Sequence, residues 1–280
     1  MGRLFGTDGA RGVANSELTG ELAMNIGRAA AMVLTDATHT RPKVMIGMDT
    51  RQSSEMLCAA LSSGLCSVGA DVLILGVVPT PAVAFLVKKY EYDAGVMISA
   101  SHNPCEYNGI KIFKSDGYKL PDALEEKIEQ IILDAAAVPP VKIGGDVGSI
   151  NYAKYAIKDY VDHLASTAEV SFDGLKIALD CANGSSSVTA KELFNRLGAQ
   201  CYMLSDTPNG VNINDNCGST HMEHLQKFVV NNECDLGIAF DGDADRMLAV
   251  DEKGEILDGD KIIALCAASL KKEGKLKKDT

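Results

Sequence analysis

A chain of 280 residues with 46% hydrophobic content is long enough for about two globular domains, each burying its own core. Its formal net charge of -11 argues against a nucleic-acid or anionic-membrane surface as the main partner, and no apolar run reaches the length of a membrane span. The opening residues lack an apolar core of signal-peptide length, Gly6 stands where an N-myristoylation motif needs Ser or Thr, and eight scattered cysteines form no Cys-x-x-Cys pair; together these predict a reducing, cytoplasmic setting.

Periodicity predicts a strand at Lys43–Gly47, a helix at Ser54–Val68, a strand at Asp71–Leu75, a helix at Ala82–Lys89 and a strand at Ala94–Ile98. A hairpin of Asn108–Phe113 with Tyr118–Leu120 follows, turning at Lys114–Gly117, and Pro121 opens an amphipathic helix to about Ala135. Pro and Gly cluster between Val138 and Gly145, and a helix is expected from Tyr152 to Ala165. The same order then returns, with strands at Leu175–Leu179, Gln200–Met203 and Leu236–Phe240 and helices at Val188–Leu197 and Thr220–Val230. A second hairpin of Met247–Val250 with Glu255–Leu257 and a helix from about Asp260 close the series. Gly69-Ala70-Asp71-Val72 matches Gly198-Ala199-Gln200-Cys201, and Asp93-Ala94-Gly95-Val96 matches Asp235-Leu236-Gly237-Ile238. The fold class is therefore α/β, two tandem copies of one unit with mixed sheets sandwiched by helices: 1–140, a linker at 141–150, and 151–280.

Chemistry concentrates where two equivalent strands end. After Leu236–Phe240 come Asp241, Asp243 and Asp245, which in an extended segment project to one side and need a hard divalent cation as counter-charge. A solvated acidic turn is the plain alternative, weakened by the buried character of the preceding strand. Glu252 at the twelfth position imitates an EF-hand loop, but Arg246 occupies the sixth position where that loop needs Gly, and both flanks read as β. An aspartyl-nucleophile phosphatase stays open. The equivalent end in the first copy carries Ser99, Ala100, Ser101, His102, Asn103 and Pro104, with Ser101 nearer the loop tip. A serine needs activation by a base or a metal to act as a nucleophile, and the Gly-x-Ser-x-Gly elbow of acyl hydrolases is absent. By itself this segment reads as an ordinary turn. Asp49 and Arg51, after the first strand, are candidates to shape the same cleft, with helix capping the rival role for Asp49. The five histidines form no ligand spacing.

Three segments together, Phe5–Gly12, Ile98–Pro104 and Asp241–Arg246, closely resemble the α-D-phosphohexomutases, and the resemblance covers essentially the whole chain. The opening is most similar to the branch that interconverts glucosamine 6-phosphate and glucosamine 1-phosphate. The resemblance implies that Ser101 carries the phosphoryl group and that Asp241, Asp243 and Asp245 hold Mg2+ together with a phosphate oxygen on Ser101. It implies further catalytic roles for Lys111 and Arg11 and phosphate binding by Arg246 and His102. The implied partner is a hexosamine monophosphate, with a homodimer compatible and no nucleic acid or membrane. Other sugar phosphates remain open, because the family's third-unit Gly-Glu-x-Ser-Gly-His loop and fourth-unit phosphate loop are expected to lie outside this sequence; on that expectation the chain alone would turn over negligibly.

Overall fold

The computed structural model describes residues 2–6, 8–38, 41–137 and 139–277. Thr7 of the opening motif, Val138 of the Pro/Gly stretch and residues 278–280 lie outside them.

The first sheet has six strands, in the order β1 (Ala10–Val13), β5 (Tyr107–Lys114), β4 (Ala94–Ile98), β2 (Lys43–Met48), β3 (Asp71–Val77) and β6 (Ile150–Tyr152). β2 runs parallel to β3 and β4, β6 joins β3 in parallel, and β5 runs antiparallel to β4 and β1. Helices cover both faces, so the central strands read as continuous apolar runs and β4 is buried at every residue. The pleat divides them. Val44 and Ile46 face a core shared with α1 (Gly20–Thr38), α2 (Gln52–Ser67) and α4 (Asp122–Leu133), while Met45 faces α3 (Thr80–Lys89) and α5 (Ala156–Thr167).

The second sheet has five strands, in the order β11 (Ile256–Leu257), β10 (Met247–Asp251), β9 (Leu236–Phe240), β7 (Lys176–Asp180) and β8 (Gln200–Leu204). β7 is parallel to β8 and β9, and β10 is antiparallel to β9. Ile177 and Leu179 pack toward α6 (Ala190–Arg196), and Ala178 toward α7 (Glu223–Asn231). The order β10-β9-β7-β8 repeats β5-β4-β2-β3, so the duplication read from short sequence matches is a duplication of topology. In each unit the chain leaves the first parallel strand in one direction and returns on its other side. That places a crevice at the carboxyl ends of β2 and β4 and another at those of β7 and β9.

Several boundaries move. The helix expected from Tyr152 begins at Ala156, because residues 150–152 occupy the open edge of β3 as β6, and Ala156 and Tyr160 of α5 then pack on the first unit's core. The stretch 141–150 carries a 3-10 turn at Gly144–Asp146 and the first residue of β6. In the second unit the expected helix starts at Val188 and Thr220 move to Ala190 and Glu223, each behind a 3-10 turn. β1 and α1 had no sequence reading. α8 (Gly259–Lys272) begins one residue before its expected start, capped by Asp258 accepting from Lys261 N.

α1 and α2 meet through backbone: a Cβ on Gly64 would lie 2.1 Å from Met24 O. Gly64→Ala is expected to cost about 1–3 kcal/mol by prying the two helices apart, seen as a lower urea midpoint at unchanged m; an unshifted midpoint would contradict this packing.

Candidate active site between the two sheets

The serine loop leaves β4 at Ile98 under tight backbone control. Ser99 N donates to Gly109 O at 2.9 Å, and Ser101 N donates to Ser99 Oγ at 2.9 Å. Ser101 itself has φ +56°, a left-handed conformation uncommon for a residue with a side chain, and it is fully buried. Its conformation is held from both units. Arg51 Nη2 donates to Ser101 O at 3.0 Å and Asn103 O at 2.8 Å, and Arg51 Nη1 donates to Pro104 O. From the second unit, Asn214 Nδ2 donates to the same Ser101 and Asn103 carbonyls at 2.9 and 3.1 Å.

Asp49 explains how a guanidinium can be buried there. Its Oδ2 accepts from Arg51 Nε at 2.9 Å, and its Oδ1 from Arg51 N at 3.0 Å and Ser54 Oγ at 2.8 Å, with both side chains fully enclosed. The N-cap of α2 is Arg51, not Asp49. Asp49 and Arg51 therefore shape the cleft from behind the serine loop, as a buried and satisfied ion pair.

The acidic loop differs from its sequence reading in one respect. Asp241, Asp243 and Asp245 do not alternate along an extended strand, since β9 ends at Phe240 and the chain turns back on itself before β10. Ala244 N donates to Asp241 O at 3.0 Å and Ala244 adopts φ +54°. The turn, rather than a pleat, converges the carboxylates, one oxygen of each lying within 4.8 Å of the others. Gly242 makes room for it: a Cβ there would lie 2.6 Å from Ser101 O and 2.8 Å from Asn214 Nδ2, so the two loops touch through backbone.

Across that contact Ser101 Oγ donates to Asp241 Oδ2 at 2.6 Å. Lys111, on β5, donates from Nζ to Asp243 Oδ2 at 2.7 Å and to Asp245 Oδ2 at 3.4 Å, and Thr80 Oγ1 donates to Asp243 Oδ2 at 2.7 Å. Asp243 Oδ1 is buried with no hydrogen-bond partner. Burial, followed by the charge of Asp243, pushes the Asp241 carboxyl up to about 6 despite the Ser101 hydrogen bond. For Asp243 burial also opposes ionisation, but the Lys111 ammonium and the hydrogen bonds from Lys111 and Thr80 outweigh it and hold this carboxyl below the ordinary range. Three converging carboxylates with one buried oxygen unclaimed are a donor set that suits a hard divalent cation.

Cationic side chains rim the serine. Arg11, on β1, keeps Nε and Nη2 buried without hydrogen bonds, its nearest acid being Asp8 at 3.4 Å. Arg246 Nη1 lies 3.2 Å from His102 Nδ1, which makes Nδ1 the acceptor and puts the proton of a neutral imidazole on Nε2. Burial first, then Arg246 and Arg11, hold His102 below its usual pKa. His221 and His224 join no potential metal cluster among the described residues. Thr80 and Asn214 had no sequence reading. Their only signals were a Pro79-Thr80-Pro81 strand end and the Asn-rich run from Asn209 to Asn216.

Residues 2–138 match the family model described as phosphoglucomutase/phosphomannomutase, alpha/beta/alpha domain I, and residues 158–254 match that of domain II. A phosphoglucosamine mutase of Clostridium novyi (strain NT) is 58% identical over 277 residues, covering 99% of this chain and 62% of the relative. Another, from Clostridium botulinum (strain Kyoto / Type A2), is 54% identical over 281 residues, 100% of this chain and 62% of the relative. A solved phosphoglucomutase/phosphomannomutase family protein from Burkholderia thailandensis superposes with a TM-score of 0.81 at 28% identity, over 96% of this chain and 59% of that one. The chain thus spans 62% of the length of these curated relatives.

Arg51→Met should leave Asp49 as an unpaired buried carboxylate and cost about 3–5 kcal/mol in urea unfolding. A loss under about 1 kcal/mol would mean that Asp49 finds water or another partner.

Proposed function

Given that this chain belongs to the phosphoglucomutase/phosphomannomutase family, we propose that it carries the phosphoserine and metal centre of a phosphoglucosamine mutase. The reaction is the interconversion of glucosamine 6-phosphate and glucosamine 1-phosphate through a phosphoserine at Ser101 and a hexosamine bisphosphate. The observation that carries this reading is the 2.6 Å hydrogen bond from Ser101 Oγ to Asp241 Oδ2, which joins the serine of one unit to the acids of the other. The names of the relatives at 58% and 54% identity favour the glucosamine branch over glucose and mannose phosphates.

In the forward direction the bond between phosphorus and Ser101 Oγ breaks as one forms to a free sugar hydroxyl, and the hydroxyl's proton passes to the serine side. The bisphosphate turns end for end, and its other phosphoryl group returns to Ser101. Asp241, Asp243 and Asp245, with an oxygen on Ser101, would hold Mg2+, which would neutralise charge on the phosphoryl oxygens. Arg11 offers Nε and Nη2, buried and without hydrogen bonds, to the phosphate, and Arg246 with the Nε2–H of His102 grips it from the loop side. Lys111 moves the proton between sugar hydroxyl and serine oxygen, starting from its contact with Asp243. The buried floor made by Arg51 and Asn214 keeps water from behind the serine.

We retain the division at 1–140 and 151–280, with residues 151–152 lent to the first sheet through β6 and the face of α5 bearing Ala156 and Tyr160 packed on the first unit's core. Eight unpaired thiols support a reducing, cytoplasmic setting, and no helix of the described residues is long and apolar enough to cross a membrane. The partner is a hexosamine monophosphate.

Peptide mapping after incubation with a hexose bisphosphate is expected to find phosphate on Ser101, lost in Ser101→Ala and resistant to hydroxylamine. Label that hydroxylamine removes from Asp241 would instead establish an aspartyl phosphatase. Magnesium binding should also depend on pH. Because the Asp241 carboxyl is raised, its ionisation destabilises the metal-free fold as pH climbs through about 6, whereas a bound cation requires the ionised form. The rise in Tm on adding Mg2+ is therefore expected to be large at about pH 7.5 and small at about pH 5; equal shifts at both would contradict this ligand assignment.

A further inference from the structure

α3 begins at Thr80, and its first turn has no side-chain cap of its own, because Pro79 precedes it. The orphan donors at such a helix start need partners. One is supplied by the other unit: Thr80 N donates to Asp243 O at 2.8 Å, while the hydroxyl of the same residue donates to Asp243 Oδ2 at 2.7 Å. Thr80 thus holds both the backbone and the side chain of the central acid of the loop, and Asp243 is itself fully buried.

The distribution of contacts over the two carboxylate oxygens is uneven. Oδ2 accepts from Thr80 Oγ1 and from Lys111 Nζ, both at 2.7 Å, and Oδ1 accepts from nothing although it is buried. The two donors on Oδ2 behave differently toward a cation. The Lys111 ammonium is repelled by an entering divalent ion, while a neutral hydroxyl is not and can remain in place. A carboxylate with free torsion could offer either oxygen or both; one with Oδ2 tied down offers Oδ1.

We propose that Thr80 is a positioning residue for the cation, fixing Asp243 Oδ2 from the opposite unit so that Oδ1 is the oxygen presented to the metal. This rests on the reading of Asp241, Asp243 and Asp245 as Mg2+ ligands and adds to it a partner outside the acidic motif. Hydrogen bonds to ligating carboxylates orient them, and their loss typically weakens metal binding about tenfold to a hundredfold. The arrangement also makes cation binding sensitive to how the two units are seated, since the orienting hydroxyl opens α3 of the first unit and the ligand lies in the loop after β9 of the second.

The test is Mg2+ titration by calorimetry on the whole chain, wild type beside Thr80→Val, Thr80→Ser and Asp243→Asn, with Tm in EDTA recorded for each. Thr80→Val keeps the branched shape without the donor and is expected to weaken Mg2+ binding at least about tenfold, while Thr80→Ser, keeping the hydroxyl, stays within about threefold of wild type. A merely structural role would lower the Tm in EDTA of Thr80→Val without changing its Mg2+ affinity, and that result overturns the proposal. So does a Thr80→Ser variant as weak as Thr80→Val. If Thr80→Val does not fold, Thr80→Ala compared with Thr80→Ser decides by the same criterion. Wild type and Asp243→Asn binding Mg2+ equally, or neither binding it, overturns the metal reading itself and this proposal with it; normal wild-type binding with an unaffected Thr80→Val removes only the role of Thr80.

Discussion

The site depends on one contact: the backbone of the serine loop resting on the backbone of the acidic loop, Ser101 O against Gly242. A Cβ at that glycine would lie 2.6 Å from Ser101 O, so one of the loops would have to shift. With the contact made, Ser101 Oγ falls within 2.6 Å of Asp241 although 140 residues of chain separate them. Other connections across the units serve this closure, among them Thr50 Oγ1 to Asn183 O at 2.6 Å and Gln52 N to Gly210 O at 2.9 Å. The left-handed conformation of Ser101 is then over-determined, since Arg51 and Asn214 seize the same two carbonyls from opposite sides. Strain of that kind persists only where the surroundings impose it.

Duplication supplies the frame. Two copies of one parallel-strand unit place two crevices at equivalent strand ends, and the copies have diverged there in chemistry while keeping strand order. The first copy carries hydroxyls after β4 and the second carboxylates after β9. The buried acids at the ends of β2 and β7 show the same divergence. Asp49 anchors a guanidinium under the serine loop, whereas Asp180 accepts from Ala182 N and Gly218 N and so shapes the loop that presents Asn214. Both loops are thereby braced by a buried carboxylate at the end of the first parallel strand.

Charge is arranged locally against the overall balance. In a chain of net charge -11, the groups near Ser101 include Arg11, Lys111 and Arg246 beside the three aspartates. Such a mixture suits a ligand that is itself a metal-bound anion, because cations pair with the oxygens of an anion and acids with a metal ion. The uneven state of Asp241 and Asp243 follows from neighbours: both are buried, and only Asp243 has an ammonium in contact.

Much of this was legible from residues alone, where the signal is local. Alternating and continuous apolar runs marked the parallel strands, and β4 and β9 have the bounds that periodicity predicts. The serine and acidic segments could be singled out because hydroxyls and carboxylates at strand ends interrupt those runs. β6 was hidden because three exposed residues have no pattern of their own and become a strand only when the edge of β3 accepts them. The turn that gathers the three acids, the burial of Arg51 against Asp49, and the contacts of Thr80 and Asn214 were decided by tertiary structure. Each of these depends on a partner far away in the chain, and periodicity and spacing report only on neighbours. Sequence alone determined which groups were available and on which repeated element each would stand; the docking of the two units decided which oxygen faces which donor, because hydrogen-bond distance is a property of the assembled surfaces.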